Sequence, residues 1–279
     1  MKASMKIALL VGVLAVLFCA QAAMAHILWL NPDKMVVKPG EEISVGIGFG
    51  HGYPADRKDE NVREGMLGEV FAEGPDGKAV PLQKVSDSEY KFKADKAGAY
   101  LLSAVMKPGF FSRTPQGMKR GSKKEVAEAV TCMHFQMIAN APMVAGASAA
   151  KLGAPAKQAL QIAPQAEVAG LKKGDTLPIQ VIFDGKPLAA VDVKATYAGF
   201  KAPPQAKDKA KGDKSPEAMR KKMAARFPVF VKTDAQGRAD IKLSQAGWWL
   251  VILSHKTPFE DPQTCDQHVY QTTFTFQVK

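Results

Sequence analysis

Five histidines, His26, His51, His134, His255 and His268, are the residues of this 279-residue chain best suited to chemistry. Imidazole is a ligand for nickel, copper and zinc, whereas calcium needs oxygen clusters that this sequence does not display. His26 directly follows Ala23-Met24-Ala25, a small-x-small cleavage pattern. Cutting there would give His26 a free α-amine beside its imidazole. Amine nitrogen and ring Nδ1 could then chelate one ion in a six-membered ring, which still needs a further ligand. His51 is the candidate. A hairpin turning through Pro39-Gly40-Glu41 would pair Met35–Lys38 with Ile43–Phe49, with paired numbers adding to about 79–80. His26 and His51 would then lie within one or two residues of facing each other, and Gly50 and Gly52 would leave the backbone around His51 free to approach an ion.

A second pair is expected at the other end of the chain. Trp249–Ser254 and Val269–Val278 read as neighbouring antiparallel strands, so His255 and His268 would meet at the mouth of their connection, near Cys265 and Asp266. The competing readings are a strand cap for His255 and a core-edge hydrogen bond for His268. His134 shares a strand face with Cys132 and reads as packing or as a partial ligand. The candidate metal ligands are therefore His26, His51, His255 and His268, for a divalent transition metal. Nine methionines follow residue 25 and keep copper(I) open, although filling the core is their ordinary role.

The elements that must hold these residues begin with a leader. Lys2 and Lys6 precede the apolar run Ile7–Phe18, which is short for a membrane span, and the cleavage site follows. Phe18 before Cys19 argues against a lipid anchor on that cysteine. The mature chain is expected to be exported, periplasmic or beyond, soluble and without an integral membrane segment. Cys19 leaves with the leader, and Cys132 and Cys265 are expected to pair in the oxidising compartment.

Beyond the leader, short β-branched and aromatic runs alternate with Gly/Pro punctuation, and long helical patterns are scarce. This predicts an all-β protein of two tandem immunoglobulin-like β-sandwich domains, 26–144 and 158–279, after the signal peptide 1–25 and around a small-residue linker, 145–157. The formal charge is +11, falling to +9 without Lys2 and Lys6. Eight basic and three acidic residues crowd into Lys201–Lys222, which has no aromatic residue. The segment 201–225 reads as a solvated, mobile insertion rather than a nucleic-acid groove, which would interleave stacking residues.

The halves echo each other. Val37–Phe49 (VKPGEEISVGIGF) aligns with Leu171–Phe183 (LKKGDTLPIQVIF), and Ala97-Gly98 with Ala246-Gly247. The stretches AHILWLNP, GFGHGYP, LKKGDTLPIQVIFDGKPLAAVDVKATYAGF and AGWWLVILSHK resemble a family of exported bacterial proteins. Its members are described as domains of unknown function or as nickel-uptake components associated with energy-coupling-factor nickel/cobalt transporters. The resemblance implies nickel or cobalt as the ion and membrane transporter components as partners, and it supplies no residue-level mechanism. Phosphate-loop, zinc-protease and serine-hydrolase motifs are all missing, so a non-enzymatic role is expected. Two alternatives remain beside metal delivery: a protein-interaction module, and a copper-binding protein using the N-terminal chelate.

Overall fold

The computed structural model describes residues 26–54, 62–146, 152, 158–202 and 215–279. The signal peptide, most of the linker and the middle of the lysine-rich insertion fall outside them. The first half contains β1 (Ile27–Pro32), β2 (Val36–Val37), β3 (Glu42–Gly50), β4 (Leu67–Glu73), β5 (Ala79–Pro81), β6 (Gln83–Lys84), β7 (Glu89–Lys93), β8 (Gly98–Met106), β9 (Gly109–Thr114), β10 (Gly117–Arg120) and β11 (Thr131–Ala145). The second contains β12 (Leu160–Pro164), β13 (Thr176–Phe183), β14 (Lys186–Pro187), β15 (Asp192–Tyr197), α1 (Pro216–Ala224), β16 (Val229–Lys232), β17 (Arg238–Lys242), β18 (Gly247–Pro258) and β19 (Gln267–Val278).

The fold is all-β and immunoglobulin-like. One sheet runs β1-β3-β7-β6, and another runs β12-β13-β14 with β17 beside β13. Each faces part of a third, eleven-stranded sheet whose main path is β16-β15-β18-β19-β11-β8-β4-β5. The alternating pattern of each strand turns one set of side chains inward. Leu28, Leu30, Val45, Ile47, Phe92 and Leu102 fill the first core. Leu177, Ile179, Val181, Trp249, Val251 and Phe274 fill the second.

The internal echo is structural as well. Gly40 and Gly174 both adopt positive φ, a conformation glycine takes without cost, in matching turns. The Lys38 N–H donates to the Glu41 carboxylate at 3.0 Å, and the Lys172 N–H to the Asp175 carboxylate at 2.8 Å. Leu28 faces Phe49 as Leu160 faces Phe183, and Pro32 faces Val45 as Pro164 faces Ile179. Tyr100 Oη donates to the Lys96 carbonyl at 2.9 Å, and at the corresponding place Trp249 Nε1 donates to the Gln245 carbonyl at 2.9 Å. Such a corner ties a strand to the turn that precedes it. Tyr100→Phe is expected to cost about 1 kcal/mol, since it removes one bond from a largely buried ring. Urea unfolding checks this, and an unchanged midpoint would show that the corner carries no load.

Three features depart from the sequence expectation. Met35–Lys38 does not form a hairpin with β3. After Pro32 the chain crosses to the other sheet, where β2 runs parallel to β11, and β1 itself pairs with β3. Asp33 makes the crossing by donating its N–H to the Ser44 carbonyl and accepting the Ser44 N–H on its side chain. Second, the β9–β10 hairpin occupies a Gly/Pro-containing stretch without strict apolar alternation. Third, the end of the lysine-rich insertion is helical. Ser215 Oγ accepts the Ala218 N–H at 3.2 Å, Glu217 lies in the first turn and Lys221 and Lys222 in the last, all matched to the helix dipole.

The halves are joined by more than a linker. β11 and β19 pair in parallel from Met133↔Gln267 to Asn140↔Phe274. Behind this seam Asn140 Oδ1 accepts from Ser103 Oγ at 2.9 Å and from Gln158 Nε2 at 2.8 Å, a buried network drawing on both halves. The expected disulfide Cys132–Cys265 closes the start of the seam, with Cα atoms 4.9 Å apart. A third apolar cluster lies between the halves, with Trp29 and Tyr53 packed on Leu250 and Ile252. β1 therefore buries both faces, sending Leu28 and Leu30 one way and Trp29 the other. Gly48, opposite Trp29, leaves room for the indole, and a Cβ there would overlap its ring.

Candidate metal centre

The β1–β3 ladder pairs Ile27 with Gly50 and Leu28 with Phe49, so paired numbers add to 77. One further step puts His26 directly opposite His51, closer than the expected hairpin register required. Their ring centroids are 4.0 Å apart, and His26 also stacks on Phe49 at 4.9 Å with an interplanar angle of 12°. Both histidines are exposed at the strand end. The backbone beneath is anchored, because Gln271 Nε2 donates to the His26 carbonyl and Thr273 Oγ1 to the Leu28 carbonyl, both from β19. The corresponding positions of the second half are Gln158 and Gly185, so this pair belongs to the first half alone. Two imidazoles in this arrangement can converge on one ion after a rotation of either ring.

The second expected pair is arranged differently. β18 extends to Pro258, so His255 and His268 both lie within strands instead of bounding a loop. His255 is opposite Tyr270 and His268 opposite Thr257, two positions apart on one ladder. The His255 ring packs on Phe183 at 4.6 Å, and burial lowers its pKa from the ordinary histidine value, with Asp184 opposing the shift. The residue that meets His268 is His134, its register partner across the parallel seam. Their Nδ1 atoms are 3.1 Å apart. On the far side of the His268 ring, Nε2 lies 2.9 Å from both carboxylate oxygens of Glu260.

Phe110 and Phe259 flank this second pair, with Phe110 4.5 Å from the His134 ring and Phe259 4.6 Å from that of His268. Burial lowers the pKa of His134, the positive charge available to His268 lowers it further, and Glu260 opposes both. Glu260 was not singled out in the sequence, and no local pattern links it to residues 134 and 268. Among the described residues no three or more His, Cys, Asp or Glu side chains form a closed ligand cage. Each pair brings together two imidazoles and no more.

A family model described as a domain of unknown function, DUF4198, matches residues 23–257. The chain belongs to the DUF4198 family. The match takes in His26, His51, His134 and His255 and ends before Glu260 and His268. A comparison with curated proteins finds no match for this DUF4198 protein. Among solved structures, the D0–D1 domain of intimin is similar at 15% identity and a TM-score of 0.23, covering 91% of this chain and 100% of that one. A DUF4785 family protein from Legionella pneumophila is similar at 10% identity and a TM-score of 0.24, covering 83% of this chain and 54% of that one. The α2-macroglobulin of Escherichia coli is similar at 8% identity and a TM-score of 0.19, over 94% of this chain and 16% of that one. None of these likenesses bears on function. No helix among the described residues is long and apolar enough to cross a membrane.

Proposed function

We propose that this DUF4198 protein is an exported, non-catalytic accessory protein that binds a divalent transition metal and supplies nickel or cobalt to a membrane uptake transporter. The observation that carries metal binding is the placement of His26 against His51, with ring centroids 4.0 Å apart on an anchored strand end. The choice of nickel or cobalt, and of a transporter as partner, comes from the sequence resemblance. Cleavage after Ala25 would add the α-amine of residue 26, so that two residues offer three nitrogens. The remaining positions on the ion would be filled by water or by the partner, as suits a site that must release its cargo.

Calorimetric titration of the processed protein with nickel, cobalt, copper and zinc tests this reading. His26→Ala and His51→Ala should each weaken binding at this site at least about tenfold, or ~1.4 kcal/mol. One extra residue before His26 should do the same, because it keeps the imidazole and removes the amine. His255→Ala should leave this site unchanged, since His255 packs on Phe183. Affinity should fall with pH, because protons compete for amine and imidazole nitrogens. Unchanged binding after N-terminal extension would refute the chelate. A marked preference for copper would move the protein to copper handling. Failure of all four ions to bind would leave the interaction-module reading.

A further inference from the structure

The pairing of His134 with His268 carries a consequence independent of the N-terminal chelate. We propose that these two histidines form a second transition-metal site on the seam between the halves, ligating through Nδ1 of each ring, with Glu260 as the outer partner that orients His268.

The distances fit such a site. Two nitrogens 3.1 Å apart, each about 2.0–2.1 Å from a shared ion, subtend roughly 100° at the metal. That angle lies between the right angle of cis ligands in square or octahedral geometry and the tetrahedral value, so neither ring has to travel far. The tautomers fit as well. Glu260 accepts from Nε2 of neutral His268, which leaves the Nδ1 lone pair aimed at His134. When His134 carries its proton on Nε2, its own Nδ1 lone pair meets the first, and a cation takes the place of a shared hydrogen. A carboxylate on the remote nitrogen of a ligating imidazole is the usual means of fixing ring orientation and raising ligand basicity.

The surroundings favour an ion held by the protein over a surface encounter. His268 is 7% exposed, and the flanking phenylalanines keep the rings from turning away. The backbone cannot easily separate the ligands, because His134 and His268 are register partners in a ladder closed two residues earlier by the Cys132 disulfide. Two imidazole donors suit a borderline divalent cation such as zinc, cobalt or copper(II), and water fills its remaining coordination positions.

The site is separate from the N-terminal pair. Gln271, which bonds the His26 backbone, and His268 differ by an odd number of positions on β19, so their side chains leave opposite faces of the sheet.

The test uses the processed, disulfide-intact protein and copper(II) or cobalt(II) alone as the probe. The double variant His26→Ala/His51→Ala should still bind one equivalent, and its copper(II) paramagnetic resonance should show hyperfine splitting from two imidazole nitrogens. His134→Phe, shaped to fit between the aromatic rings, should abolish that equivalent in the double-variant background and leave the N-terminal site intact in the parent. Glu260 is largely exposed, so Glu260→Gln should keep the fold and weaken the seam site about 10–100-fold. Absence of binding in the His26→Ala/His51→Ala variant would overturn the seam site without touching the N-terminal reading. Binding in that background that ignores both His134→Phe and Glu260→Gln would overturn it too, leaving a pair joined by a hydrogen bond only.

Discussion

Replacing Cys132 and Cys265 together by alanine is expected to lower the unfolding free energy by up to about 5 kcal/mol, the loop-closure value for a cross-link of this span. The two cysteines are separated by 133 positions, so the bond removes a large share of the unfolded chain's freedom. Its placement adds to the effect. The parallel β11–β19 ladder begins one residue beyond Cys132, and parallel strands have no tight turn to hold them in register. Both sulfurs are fully buried, so alanine leaves a small apolar gap and introduces no unpaired polar group. Chemical denaturation of the oxidised parent, the reduced parent and the double variant measures the loss. The denaturant slope should rise in the last two, because an uncrosslinked chain exposes more surface. A loss below about 1 kcal/mol, with an unchanged slope, would mean that the bond constrains little in the unfolded state.

Trp29→Ala should cost about 3–5 kcal/mol, the range for removing a large aromatic side chain from a packed interior. Trp29 is 1% exposed, crosses Tyr53 edge-on at 5.9 Å, and joins β1 to Leu250 and Ile252 of the other half. Trp29→Phe should be milder. Nε1 of Trp29 is buried with no hydrogen-bond partner among the described residues, so phenylalanine removes a poorly satisfied donor along with part of the ring. Because Trp29 helps position the strand that carries His26, the alanine variant should also weaken metal binding at His26 and His51. Urea unfolding and calorimetry on the same samples check both effects. A loss under about 1.5 kcal/mol would show that the two halves are not packed together here in solution.

What could be read from the sequence depended on how local the information was. The nearness of His26 and His51 was legible only in part: the sequence placed them through a Met35–Lys38 hairpin that does not form, and their actual register comes from β1 pairing directly with β3. The cysteine pair followed from counting. The His134–His268 contact arises from a parallel pairing between distant segments, and no spacing or turn residue signals such a pairing. Glu260 was hidden for the same reason, since its role exists only once His268 is placed. The crossing of β2 to the second sheet was missed because Val36 and Val37 fit either sheet equally well by pattern. The helix at Pro216–Ala224 escaped because charge dominated a segment whose capping residues are few and local.

The eight-strand main path of the large sheet reads the same from either edge once corresponding strands are matched: β5 with β16, β4 with β15, β8 with β18, and β11 with β19 at the centre, while β2, β9 and β10 belong to the first half alone. The match extends to single residues. Ala145 lies opposite Gly98 as Val278 lies opposite Gly247, which makes Asp266 the counterpart of Cys132+1, Met133; the ladder partner of Met133 is Gln267, one position on. Parallel pairing of equivalent strands so nearly in step is the signature of a dyad running along the strands. Each half is thus built as the other's mate. Produced as two separate polypeptides, and so without the Cys132–Cys265 bond between them, each half would present a bare strand, β11 or β19, whose unpaired N–H and C=O groups invite a neighbour. The neighbour with the best-matched register and pleat would be a second copy of the same half, so the separated pieces should form twofold dimers in place of the internal seam.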